Sequence, residues 1–327
     1  GGCLRMTFKQ LFSKLRRIDL EKYGPLFALV ILFIISAIAS PYFLKTRNLL
    51  NILRQVSYTG IIGLGMTFVI IAGGIDLSVG SMTALVGGIM ILTLNHFGGG
   101  VSAILIVLLV GILLGSAAGA LNGIIITKGR VAPFIVTLGT MAVFRSLTLY
   151  ISNAGEFRSS SNIYPELGMG SLLEIPNPVW IFIILAVLCA IILNSTKFGR
   201  YVRAVGSNEK VATYSGIRVG RVRFLTYVFV GVMVAISALL LSSRLNSISS
   251  SNAAVNYELD AIAAVIIGGT AMNGGSGTIF GTVIGAIILG IVNNMLNMLG
   301  ISPYLQGTVK GIVIIGAVLI QKKKNNT

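Results

Sequence analysis

The sequence predicts an all-α polytopic membrane protein with about ten transmembrane helices, some of them short or broken. Three observations carry that prediction. The 327 residues are 55% hydrophobic with a mean hydropathy of +0.92. Only 10% are charged, against roughly 25% in a soluble globular chain. Apolar runs of bilayer-spanning length recur from about residue 24 to the C-terminal end. A water-soluble enzyme domain and an intrinsically disordered chain are thereby excluded.

Ten apolar segments follow one another, each bounded by charge or by Gly, Pro, Asn and Ser. They cover 24–41, 57–72, 79–95, 101–126, 131–151, 178–194, 224–243, 257–271, 278–297 and 304–320. A full helical span needs about 20 residues, so the second, third and eighth segments are short. Such segments are steep, extended into their flanks, or interrupted where protein rather than lipid covers them. The organisation expected is a cytoplasmic segment 1–23, one membrane domain 24–320, and a basic cytoplasmic tail 321–327. The chain opens Gly1-Gly2-Cys3 without methionine, and Met6 is the expected natural start.

Charge sets the orientation. The net charge of +16 comes from 25 Lys and Arg against 9 Asp and Glu. In a membrane protein such an excess belongs to cytoplasmic loops rather than to a nucleic-acid surface. With the N-terminus inside, eighteen basic residues fall on the inner side. Only Lys45, Arg47, Arg54, Arg158 and Arg244 fall outside. Both termini are therefore expected in the cytoplasm.

Two connections exceed the usual length. Residues 152–177 form a polar outer segment that reads either as a solvated connector or as a docking surface. Residues 195–223 form a basic inner segment. Within it, GSNEKVATYSGI (206–217) reads as a short helix, with Asn208 as cap, Glu209 in the first turn and Gly216 as stop. A short surface helix on the inner face is what an energising partner would push, with Gly206, Asn208, Glu209, Ser215 and Gly216 shaping the contact.

Catalytic signatures do not appear. GxxxxGK[ST] and HExxH do not occur, the single histidine, His96, excludes a Ser/His/acid set, and two cysteines make no disulfide framework. Neither a metal nor a bound cofactor is expected.

Three stretches carry a family likeness: GMTFVIIAGGIDLSVGSMTALVGG (65–88), GRYVRAVGSNEKVATYSGI (199–217), and YELDAIAAVIIGGTAMNGGSGTIFGTVIGAIILGIVNNMLNMLGISPYLQGTVKGIVII (257–315). Together they resemble the permease subunits of bacterial ABC importers for monosaccharides, the ribose type most nearly. The resemblance implies a permease homodimer in the bacterial cytoplasmic (inner) membrane. It implies a cytoplasmic ATP-binding cassette protein that uses the ATP, an extracytoplasmic sugar-binding protein, and a monosaccharide substrate, ribose first. The missing phosphate-binding loop agrees, because ATP chemistry must then reside in another chain.

Polar residues within the apolar segments are the candidate pathway groups, since each needs a partner or a wet cavity. Asp76, in GGIDLSVG, is either a helix cap at the inner interface or part of a broken helix lining a pathway. Ser78 is placed to cap the following helix. Asn293, Asn294 and Asn297 in the ninth segment, and Asn122 in the fourth, either bind neighbouring helices or face a cavity suited to sugar hydroxyls. Glu258 and Asp260 open the eighth segment, as caps at a helix N-terminus or as acceptors at an outer mouth. Gly111, Gly115, Gly119 and Gly123, like Gly277, Gly281 and Gly285, recur every four residues as helix-packing rows. The competing reading is a secondary transporter or channel working without ATP. Such a carrier has no need of the inner 206–217 helix, and only Asp76, Arg145 and Lys310 are ionisable groups available mid-membrane.

Overall fold

A computed structural model describes residues 20–302 and 305–312. Among the described residues, seven helices are long and apolar enough to cross a membrane, and the little β-structure is confined to four short strands. The helices in chain order are α1 (Leu20–Ala39), α2 (Thr46–Ile71), α3 (Val79–His96), α4 (Val101–Gly129) and α5 (Pro133–Ile151). After β1 (Glu156–Arg158), the short α6 (Pro165–Met169) and the strands β2 (Ser171–Leu172) and β3 (Ile175–Pro176), the chain enters α7 (Asn177–Ser195). Then come α8 (Lys197–Ser207), α9 (Glu209–Tyr214), α10 (Val219–Leu245), β4 (Ser247–Ser249), α11 (Tyr257–Ile267) and α12 (Ile279–Met298). Residues 305–312 are again helical. The predicted segments 1–23 and 321–327 lie wholly or mostly outside the described residues.

Helix α2 is the centre of the molecule. Its residues from Val56 onward are almost all buried, and α10, α11, α12 and α7 pack around it. Helices α4, α5 and α7 form the periphery and leave rows of Leu, Ile and Val exposed, as in Leu105, Leu109 and Leu113. In a membrane those rows meet lipid.

The glycine row of α4 makes the tightest crossing. Cβ atoms at Gly115 and Gly119 would overlap the backbone carbonyls of Gly231 and Tyr227 on α10. Gly281 and Gly285 likewise press against the Gly268 and Ala264 carbonyls, joining α12 to α11. Gly277 precedes the helix and packs on Thr270 and Ile71. The third member of that row is therefore a loop residue.

Two boundaries depart from expectation. The second segment is not short: α2 runs 26 residues, because Arg47, Asn48, Asn51, Arg54 and Gln55 are helical. Their polarity makes them read as flank. The eighth segment is shorter than expected. Helix α11 stops at Ile267 after 11 residues, and Gly269 turns the chain at φ +88.

The outer segment 152–177 is folded rather than extended. Strand β1 pairs antiparallel with β4 (Phe157 opposite Ile248), and β2 pairs with β3. The Tyr164 hydroxyl is bonded to Ser242 on α10, and burial pushes its phenol pKa up to about 12. In the basic segment 195–223, Thr196 caps α8 through Gly199 N (3.2 Å) and Asn208 caps α9 through Val211 N (3.1 Å). Gly216 ends the turn at φ +80.

Candidate functional site

Two interrupted segments enter the bundle from opposite ends and meet near its middle. From one end, residues 72–78 leave helical geometry after α2 and carry Asp76 into the bundle. From the opposite end, the polar run after β4 leads to α11. They meet at Gly80, the second residue of α3, where a Cβ would overlap the Glu258 carboxylate and lie 2.6 Å from the Ala254 carbonyl oxygen.

Two helices gauge the depth of that meeting point. At the other end of α3, Asn95 bonds to the Arg158 carbonyl of the outer segment, which puts Gly80 about 22 Å below that level at 1.5 Å per residue. Gly285 against Ala264 and Gly281 against Gly268 set α11 antiparallel to α12. In that register Glu258 lies about 18 Å above Ile279. Both measures place the junction well away from either end of the bundle.

Asp76 is completely buried. Its carboxylate accepts from Ser78 N at 2.9 Å and Ser78 Oγ at 2.6 Å, and from Asn122 Nδ2 at 3.4 Å. Asn122 Nδ2 also reaches Ser78 Oγ at 2.9 Å. Three of the residues singled out in the sequence thus form one hydrogen-bonded knot that ties the interrupted segment to α4. Tyr227 on α10 closes it by donating to the Ile75 carbonyl at 3.0 Å. The Ser78 hydroxyl does not cap α3, because it is engaged with Asp76. A buried carboxylate needs such donors, since burying it without them costs several kcal/mol.

The outer interrupted segment is held by a residue whose role the sequence did not disclose. Arg145, half-buried on α5, donates from Nη1 to the Ser250 carbonyl at 2.9 Å and from Nη2 to the Ala253 carbonyl at 3.0 Å. Ser250 is tied to Gly155 through both its N–H and its hydroxyl. Ala254 and Asn256 adopt left-handed conformations (φ +54 and +66), each costing about 1–2 kcal/mol for an ordinary L-residue and less for Asn. Such strain concentrates where a segment is held for function.

Below the junction an inner cleft of about 280 Å³ opens between the Gly73–Ile75 break, Pro133 and Phe134 of α5, and Ile262 and Ile266 of α11. On the other side of α11 a polar cleft of about 230 Å³ is lined by residues including Tyr58, Arg244, Tyr257, Asp260, Asn293 and Lys310. Lys310 pairs with Asp260 at 2.9 Å, and Gln306, one helical turn earlier, donates to Asn297 Oδ1 at 2.8 Å. The Arg244 guanidinium lies over the Tyr58 ring at 5.5 Å. Asn293 Oδ1 is buried without a hydrogen-bond partner.

Asn293 and Asn297, four apart on one face of α12, both line the polar cleft, Asn297 bonded to Gln306. Asn294 turns instead to α2, exchanging hydrogen bonds of 3.2 and 2.8 Å with Asn48. Asn294 is a helix-to-helix tie. Glu258 and Asp260 both lie in the first turn of α11, Glu258 against Gly80 and Asp260 paired with Lys310. In the basic segment 195–223, Glu209 pairs with Arg223 at 2.8 Å, Gly206 packs against the Ile71 carbonyl, and Tyr214 is 88% exposed.

Comparison with known proteins adds to this geometry. The family described as "Branched-chain amino acid transport system / permease component" matches residues 48–318. The chain is 44% identical over 330 residues to the ribose import permease protein RbsC of Bacillus subtilis (strain 168), covering 98% of this chain and 100% of the relative. It is 42% identical to the protein of the same name from Escherichia coli (strain K12), covering 91% and 93%. It is 33% identical to the L-arabinose transport system permease protein AraH of that strain, covering 93% and 91%. No solved structure matches.

Proposed function

The chain belongs to this permease family, and from that premise we propose that it is the membrane-spanning subunit of an ATP-driven importer carrying a monosaccharide, ribose foremost, into the cytoplasm. One observation carries the reading: identity of 42–44% to ribose import permeases along nearly the whole chain. D-allose and L-arabinose permeases are less similar, at 38% and 33%, which favours ribose among the sugars.

The sequence contains no phosphate-binding loop, so the chain is a translocator and not the ATPase. ATP is used by a cytoplasmic ATP-binding cassette partner that docks on α9 and its flanks, Gly206, Asn208, Glu209, Ser215 and Gly216. An extracytoplasmic binding protein delivers the sugar to the folded outer segment. Two copies of the chain form the translocating unit. The proposed set of about ten membrane elements counts α1, the half-length α11 and the helical residues 305–312 beside the seven long helices, and the seven support it. The distribution of Lys and Arg supports cytoplasmic termini and a bacterial inner-membrane location.

Reconstitution tests the reading. The chain, its ATP-binding cassette protein and the binding protein are placed in liposomes with labelled ribose. Uptake is expected to require ATP and all three components. Ribose movement down its gradient through the chain alone would instead establish a carrier or channel.

A further inference from the structure

The interrupted segment between β4 and α11 runs from the β1–β4 pair to the Gly80 contact within the bundle and presents an open face along its length. Ser251, Asn252, Val255, Asn256 and Leu259 are exposed, Val255 by 48% and Leu259 by 43%. Ala254 and Glu258, interleaved with them, sit on Gly80 deep in the bundle. Backbone outside regular helix is tolerated at that depth only where protein covers it or water reaches it. Neither the Asn252 nor the Asn256 side-chain amide has a hydrogen-bond partner among the described residues, and two unpaired side-chain amides facing acyl chains would be costly. The face is also continuous with a space. Along α11 the sequence of positions Asn256, Leu259, Ile262 and Ile266 follows helical spacing on one side, and the last two line the inner cleft.

We propose that this face is a wall of the water-filled sugar path, and that Asn252 and Asn256 are its hydroxyl-binding residues. Each amide carries two donors and an acceptor, the complement of a sugar hydroxyl, without the charge that would hold the sugar too tightly to release. Below them the wall becomes apolar at Leu259, Ile262 and Ile266, so the sugar leaves the amides for a surface that does not bind it. Arg145 and Gly80 fix the segment from behind through the Ser250, Ala253 and Ala254 carbonyls, which keeps the amides turned outward. The proposal rests on the permease reading and deepens it.

Single cysteines test the wall, in a background where Cys3 and Cys189 are replaced, with the assembled importer in proteoliposomes. Asn252→Cys and Asn256→Cys are expected to react with a charged methanethiosulfonate at least about tenfold faster than Leu113→Cys on the lipid-facing row, because the reacting species is the hydrated thiolate. Rates equal to the Leu113 control would overturn the wall. So would spontaneous disulfides between two copies without reagent access, which would make the face a dry dimer seam. Amide function is read separately: Asn256→Gly keeps the left-handed backbone, and combined with Asn252→Ala it is expected to lower ribose uptake per assembled complex about tenfold, a loss equivalent to one or two hydrogen bonds. Unchanged uptake would remove both residues from sugar binding. An importer that moves no monosaccharide while both cysteines label fast would refute the transport reading and leave the aqueous wall standing.

Discussion

Gly80 and Glu258 touch where the two interrupted segments meet, and the contact leaves no room for a side chain at position 80. The Glu258 carboxylate occupies the place of the missing methyl, with the Ala254 carbonyl oxygen beside it. A carboxylate near the first turn of α3 also lies at the positive end of that helix. The absence of a Cβ thus sets how closely the outer segment approaches the Asp76 knot.

Gly80→Ala is expected to destabilise the subunit by about 1–3 kcal/mol, the usual cost of overpacking. Glu258 can swing away, but the Ala254 carbonyl belongs to backbone that Arg145 holds through the neighbouring Ala253. Adding Glu258→Ala should therefore not restore stability. Thermal unfolding of the detergent-solubilised chain measures both variants, and full rescue by the double change would show that the side chain alone sets the contact.

Arg145 is predicted to hold the outer segment rather than to carry a proton. Its two charge-assisted bonds are worth about 1.5–3 kcal/mol each when buried. Arg145→Met should accelerate amide hydrogen exchange in the peptide covering 246–257, and Arg145→Lys should do so less. Unaltered exchange in Arg145→Met would show that Gly155 and the β1–β4 pairing suffice to hold it.

Much of this was legible in the sequence, and the failures have a common cause. Hydropathy found the spans because lipid demands apolar length, and Asn208, Glu209 and Gly216 announced α9 through capping chemistry that is local. What could not be read was depth. Ser249–Asn256 is polar and reads as an outer loop, yet long-range partners on α3 and α5 draw it into the bundle. The same ambiguity left Glu258 and Asp260 open between helix caps and mouth acceptors, and left Arg145 only as an ionisable group within a span. Lys45–Gln55 failed in the opposite sense, since a polar helical extension resembles a flank. The Asp76 knot was half visible: the glycines marked the break, but nothing local joined Asp76 to Asn122, forty-six residues away.

The orientation has a direct test. Leu173 on the outer hairpin is 79% exposed and Tyr214 on the inner face 88%. In a background without other cysteines, Leu173→Cys in intact cells should react with an impermeant thiol reagent, and Tyr214→Cys only after permeabilisation. Ser161 is a poor probe although it lies in the same outer segment, because it is 4% exposed and bonded to Gly99. Reversed labelling would invert the assignment of both termini.

Gly216 separates coupling from folding. Its φ of +80 with no atom within 4 Å of a Cβ makes the constraint one of backbone alone. Gly216→Val should therefore distort the turn after α9 at a local cost of about 1–2 kcal/mol while insertion and assembly survive. ATP hydrolysis is expected to continue with reduced ribose uptake, and Gly216→Asn, which tolerates the left-handed region, should retain most of it. Normal uptake by the valine variant would make 206–217 a connector only.

The Asp260–Lys310 pair joins α11 to helix 305–312 across the polar cleft, with side chains 10% and 16% exposed. Removing one partner strands the other, which costs about 3–5 kcal/mol in a buried pair, whereas removing both is often neutral. Lys310→Met and Asp260→Asn are each expected to lower thermal stability substantially, and the double variant to recover most of the loss. A purely structural pair would then support normal uptake in the double variant. If the pair also has to open during the cycle, the double variant would instead show wild-type stability and altered uptake per assembled complex. Additive losses in the double variant would show that the two residues do not act on one another. Thermal unfolding and uptake, measured on the same four proteins, separate these outcomes.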